Sequence, residues 1–217
     1  METTLVAFTN VLGYRLAAEL AFASPGRTPL VVFSHGMGSG KASPRNRAIA
    51  WLLLERGISS FLLDYAGHGE SEGTAQASTL ARQVEDLGSA LDFLQANYGQ
   101  RLGPLGVSGS STGGTVALFR AAQDPRLAAL VLRSVRDYGV LEAARQVTIP
   151  TLVIQGGADL AVLPESRRIY EALAGPKQYL LIPGAGHLFA ESPEHGRVMS
   201  EATVSWFVRY LVPVAAA

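Results

Sequence analysis

Apolar runs of strand length alternate along the chain with longer segments whose apolar positions recur every three or four residues. That pattern predicts a mostly parallel sheet wrapped by helices. Leu5 to Thr9 and Tyr14 to Phe22 flank Asn10-Val11-Leu12-Gly13 and read as an antiparallel hairpin. Leu30 to Ser34 is a buried strand, and Phe61 to Leu63 lies in the next, ending near Asp64. Further strands are expected around Leu105 to Val107, Ala128 to Val135, Thr151 to Gln155 and Gln178 to Ile182, which makes eight.

Helices fall between them. Ser43 can cap one, Pro44 suits its first turn and Gly57 stops it; Ala48 to Leu54 is apolar almost all round, which predicts deep packing. Leu80, Val84, Leu87, Leu91 and Leu94 form one face of a long helix ending near Gly99. Thr112 to Gln123, Glu165 to Ala174 and Pro193 to Leu211 complete the set, with one short helix around Val140 to Arg145. Pro104 is unusual before a central strand and is expected at its first position. No repeat or linker divides the chain, so one domain over residues 1–217 is expected, with a fraying Val212–Ala217 tail.

Composition narrows the function. Apolar residues make up 48% and charged residues 17% of 217, a globular balance. Eighteen basic and eighteen acidic side chains give no electrostatic reason to expect nucleic acid or an anionic membrane as partner. The absence of cysteine removes thiolate chemistry and disulfides. No secretory signal or membrane span is read, so a cytoplasmic location is expected, while the oligomeric state stays open.

The chemistry lies in loops. Gly-x-Ser-x-Gly occurs twice, at Gly69–Gly73 and Gly109–Gly113. A nucleophilic serine needs a sharp strand-to-helix turn with small neighbours. Ser111 has a strand before it and a helix-like run after it. Ser71 sits in a polar loop between Glu70 and Glu72, whose charges would oppose an alkoxide, so it reads as a loop serine. A serine also needs a base and a group that orients the base. His187, in the glycine-rich loop after the last strand, is the candidate base. His195 falls in the final helix, and His35 and His68 precede glycines in tight loops and look structural. Asp159, four residues past the strand ending at Gln155, is the candidate acid, with Asp137 as runner-up. Ser111, Asp159 and His187 stand in the order nucleophile, acid, base, which differs from the orders of the chymotrypsin and subtilisin types. Backbone amides of Thr112 and Met37 are the expected oxyanion donors. Gly36 to Lys41 mimics a phosphate-binding loop, but His35 and Ala42 stand where that loop needs glycine and a hydroxyl, so nucleotide binding is rejected.

His35-Gly36-Met37-Gly38, Asp64 to Ser71, the Ser111 turn, the Asp159 segment and Gly186-His187 together resemble the α/β-hydrolase superfamily. Within it the chain is similar to small bacterial carboxylesterases, dienelactone-hydrolase-like enzymes and cinnamoyl esterases. The departures are the lack of cysteine, the lack of a triple glycine after His35, and only about a dozen residues where relatives insert a cap. The resemblance implies an α/β-hydrolase fold without a cap domain, an open site, hydrolysis of small soluble esters through an acyl-enzyme on Ser111, and no metal or organic cofactor. A peptidase, a thioesterase or a weak ligand-binding protein on the same fold is the alternative. Met37, Tyr65, Tyr138, Leu160, Val162, Leu188 and Phe189 are candidate pocket walls, each equally readable as core.

Overall fold

The computed structural model describes residues 3–213, so the ends of the expected 1–217 domain and the tail from residue 214 lie outside the described residues. Eight strands form one sheet in the order β1-β2-β4-β3-β5-β6-β7-β8. β1 (Thr3–Thr9) and β2 (Arg15–Ala21) are the expected antiparallel hairpin. β2 also runs antiparallel to β4 (Ser59–Leu63). β3 (Thr28–Ser34), β5 (Leu102–Ser110), β6 (Leu127–Arg133), β7 (Thr151–Gly156) and β8 (Lys177–Ile182) continue parallel. This is the α/β-hydrolase fold.

Side chains on alternate positions of each strand enter two separate cores. Leu30 and Val32 of β3 join Val84, Leu87 and Leu91 of α2 (Leu80–Tyr98) on one face. α3 (Thr112–Ala121), α4 (Leu141–Gln146) and α5 (Leu163–Ala172) cover that same face. Val31 and Phe33 point the other way, toward Ile49 and Leu53 of α1 (Pro44–Glu55) and Phe207 of α6 (Pro193–Leu211). Among the described residues, no helix is long and apolar enough to cross a membrane.

Two local expectations change. α1 is not deeply packed all round: Ile49, Ala50, Leu53 and Leu54 are buried, but Trp51 is 53% exposed. β5 begins at Leu102, so Pro104 is not its first residue. Beside β3 the register jumps from Thr28↔Leu102 to Leu30↔Leu105. Pro104 therefore lies in a bulge, exposed and outside the ladder, where its missing N–H costs no sheet hydrogen bond.

The strand order reverses at β3: β4 lies on one side of it and β5 on the other. The carboxyl ends of β3 and β5 are neighbours, with Ser34 opposite Gly109. Loops leaving these ends must diverge to opposite faces of the sheet, which leaves a crevice between them.

Candidate active site

Ser111 follows β5 directly and stands before the first turn of α3 with φ 54° and ψ −122°. This conformation is strained for a residue with a Cβ and persists only where the surroundings fix it. The Ser111 amide donates to the Arg133 carbonyl on β6 at 2.9 Å. Gly113 lets α3 start against β3, because a Cβ there would collide with the carbonyl oxygens of Ser34 and His35. Tyr65 and Ser34 hydroxyls lie 2.5 Å apart, and Ser34 Oγ donates to the Gly113 carbonyl at 2.6 Å. The Ser111 hydroxyl makes no capping bond to its own helix, which leaves it available to another partner.

That partner is His187. Its Nε2 lies 3.0 Å from Ser111 Oγ, and its Nδ1 lies 2.7 Å from Asp159 Oδ2. Gln155 Nε2 donates to the same Asp159 oxygen at 3.2 Å, and Ser134 Oγ donates to the His187 carbonyl at 2.9 Å. The loops carrying the acid and the base are joined directly, the Ala158 amide donating to the Ala185 carbonyl at 2.8 Å. Gly156 permits this approach: a Cβ would strike the carbonyls of Ala185 and Gly186. The structure thus brings Ser111, His187 and Asp159 together in one hydrogen-bonded line. Asp137 is engaged elsewhere, accepting from Arg168 at 3.2 Å and from the Gly139 amide at 3.2 Å. His195 sits in the first turn of α6, its amide donating to Ser192 Oγ. Ser71 is a structural serine: its hydroxyl donates to the Asp64 carbonyl and accepts from the Ala17 amide.

Two openings flank Ser111. The larger, about 730 Å³, is lined by Met37, His68, Leu80, Gln83, Thr112 and Tyr138 among others. The smaller, about 230 Å³, holds Ser111 and His187 with Leu188, Ser43, Arg45 and Asn46. The amides of Met37 and Thr112 take no part in the turn and cap hydrogen bonds around them. Of the expected pocket walls, Met37, Tyr138 and Leu188 reach an opening. Tyr65 does not. It is wholly buried under the Ser111 turn, because its hydroxyl finds its partner in Ser34 and its ring packs on His35. Val162 and Phe189 are core residues. Leu160 is 74% exposed and lines neither opening. His68 is a correction in the other direction, since it stands on the wall of the larger opening. Its position on the loop leaving the carboxyl end of β4 was the available signal.

The surrounding electrostatics hold the loops in place. Burial pushes the His35 imidazole down from 6.5 to about 4, so it is neutral, and its Nε2 accepts from the Tyr65 amide at 3.2 Å. Asp64 is 1% exposed. Burial alone would raise its carboxyl. The Lys41 ammonium and the amides of Glu70 and Lys41 outweigh burial and hold it below the usual carboxylate range. Lys41 Nζ lies 2.8 Å from Asp64 and 2.9 Å from Glu70. The lysine of the apparent phosphate loop is therefore committed to this contact. Among the described residues, no group of three or more His, Cys, Asp or Glu side chains is placed to hold a metal ion.

Residues 26–135, half of the chain, match the family model described as serine aminopeptidase, S33. The chain is 33% identical over 184 residues to a Mycobacterium tuberculosis protein named "Putative phosphoribosyl transferase", the match taking in 84% of this chain. It spans only about two fifths (41%) of that relative's length. Among solved structures, a dienelactone hydrolase from Anabaena variabilis is 32% identical, with TM-score 0.85 over 97% of this chain and 100% of that one. An esterase from Butyrivibrio proteoclasticus, solved with ferulic acid, shares the fold at TM-score 0.84 and 19% identity, covering 94% and 98% of the two chains.

Proposed function

Because the chain belongs to the α/β-hydrolase family described as serine aminopeptidase, S33, we propose that it is a serine hydrolase that cleaves small carboxylic esters through an acyl-enzyme on Ser111. The observation that carries this reading is the line of hydrogen bonds from Ser111 Oγ through His187 to Asp159 Oδ2. Ser111 attacks the ester carbonyl while His187 Nε2 takes its proton. Asp159 holds the imidazole in the tautomer with hydrogen on Nδ1 and stabilises the imidazolium that forms. Charge grows on the carbonyl oxygen, where the Met37 and Thr112 amides receive it; the N-terminus of α3 adds its dipole. The alcohol leaves with the proton from His187. Water, activated by the same histidine, then frees the acid.

Only α4, six residues long, lies between β6 and β7, where a cap would be inserted. An uncapped crevice suits small soluble esters better than long lipid chains. The dienelactone hydrolase likeness supports ester chemistry. The family description favours a second reading, amide hydrolysis at the same serine. Rates on matched ester, thioester and amide substrates distinguish the two.

Ser111→Ala is expected to lower kcat on a chromogenic short-chain ester by on the order of 10⁴ to 10⁶, since nucleophile, base and acid act as a unit. Retention of most activity would end the Ser111 assignment.

A further inference from the structure

Arg133 is the largest fully buried side chain among the described residues, 2% exposed at the end of β6. Its pairing partner on β5 is Ser110, beside the nucleophile. A buried guanidinium is ordinarily matched by a carboxylate. This one has a single side-chain partner, Asn46 Oδ1, which accepts from Nη2 at 2.7 Å. Its Nε has no partner among the described residues. Burial, and then the charge of Arg45, push its ionisation down to about 10, so the charged side chain that acts on it is a second cation.

Arg45 and Asn46 occupy the first turn of α1 and line the smaller opening beside Ser111. Arg45 is half-buried and makes no ion pair with any described carboxylate. No Asp or Glu lines that opening. Arg133 fixes Asn46 by its oxygen, which turns the amide nitrogen, a donor, to the opposite side. Ser43 caps the helix by accepting from the Asn46 amide, and the helix dipole adds positive potential. A protein with equal numbers of acidic and basic side chains thus places one unpaired cation, Arg45, on the wall of a small pocket at its nucleophile and a second, Arg133, buried behind Asn46.

We infer that this pocket binds a carboxylate carried on the alcohol portion of the substrate, so that the enzyme prefers acyl esters of hydroxy acids. Placement on the alcohol side rests on the ester reading above. The leaving oxygen must take its proton from His187, which lines this pocket and not the larger one, whereas the oxyanion donor Thr112 lines only the larger opening and Met37 lines both. Hydrolysis consumes one water and yields the free acid and the hydroxy acid; the bound carboxylate takes no part in bond making. Arg45 offers a charge-assisted hydrogen bond, Asn46 a neutral one, and Arg133 contributes field from behind.

The test compares 3-acetoxybenzoate with phenyl acetate, the released phenol being followed by chromatography. Wild type should show a kcat/KM at least about tenfold higher for the anionic ester, as expected for one charge-assisted bond. In Arg45→Gln that ratio should fall toward one, and in wild type it should shrink as sodium chloride rises. A wild-type ratio at or below one, or a ratio indifferent to both the substitution and the salt, overturns the inference. Should neither ester be hydrolysed, the ester reading fails on its own. Direct titration of 3-hydroxybenzoate against phenol then decides the anion site: binding of the benzoate alone, lost in Arg45→Gln, sustains it, and equal or absent binding overturns it.

Discussion

At the scale of single residues, the site depends on backbone positions that accept no alternative. Ser111 holds a positive φ, and Gly113 lies against two carbonyl oxygens of β3 and its following loop. Gly113→Ala should destabilise the fold by about 3 kcal/mol in urea unfolding, because the obstacle is backbone and cannot swing aside. His35 gives a pH signature with a definite sign. Its folded value, about 4, lies below the ordinary 6.5, so between these limits the unfolded chain binds more protons than the folded one. Stability must therefore rise with pH across that window and fall on acidification from pH 6.5 to 4, by about 3 kcal/mol in all. Urea midpoints at pH 7 and pH 4.5 would read it, with His35→Gln flattening the difference. The convergence of Ser111, His187 and Asp159 was legible because each follows a strand end and is set among glycines. Tyr65 was not legible: an aromatic after a strand looks the same whether it lines a pocket or props a turn.

Among elements, the loop from Asp64 to Gly73 and the loop after β3 are fastened by one buried cluster. Asp64 accepts from the Lys41 amide, the Lys41 ammonium and the Glu70 amide. Lys41→Met would strand a buried carboxylate, and a loss of about 3–5 kcal/mol is expected in denaturant unfolding. The loss should shrink on acidification, because the carboxylate's contribution is present above its ordinary range and disappears as pH falls through its lowered folded value. Sequence patterning placed both loops but not their link, since a lysine and an aspartate twenty-three residues apart carry no periodic signal. The β5 bulge was hidden for a similar reason. Pro104 marked an irregularity, but only the partner strand shows that register slips there.

For the whole molecule, alternation of strands and helices was enough to predict a wrapped parallel sheet, since a parallel crossover needs a helix to cover it. The strand order was not written in that alternation. It follows from which faces meet in three dimensions, and it creates the crevice between β3 and β5. The buried cation at the end of β6 is a cost shared by the entire fold. Arg133→Met should raise Tm or leave it level, as replacement of an uncompensated buried charge by an apolar side chain often does, while the preference for anionic esters declines. A large fall in Tm would mean that the arginine is there to hold the structure rather than to attract substrate.

The hydrogen bond from the Ala158 amide to the Ala185 carbonyl has a mechanical consequence. Asp159 and His187 ride on segments clasped to each other, whereas the Ser111 hydroxyl rides on a different turn, anchored to β6. If thermal breathing loosens this centre, the gap should open between Oγ and Nε2, with the Nδ1 contact surviving. Proton transfer to the imidazole, rather than its orientation, would then be the step most sensitive to looseness of the scaffold.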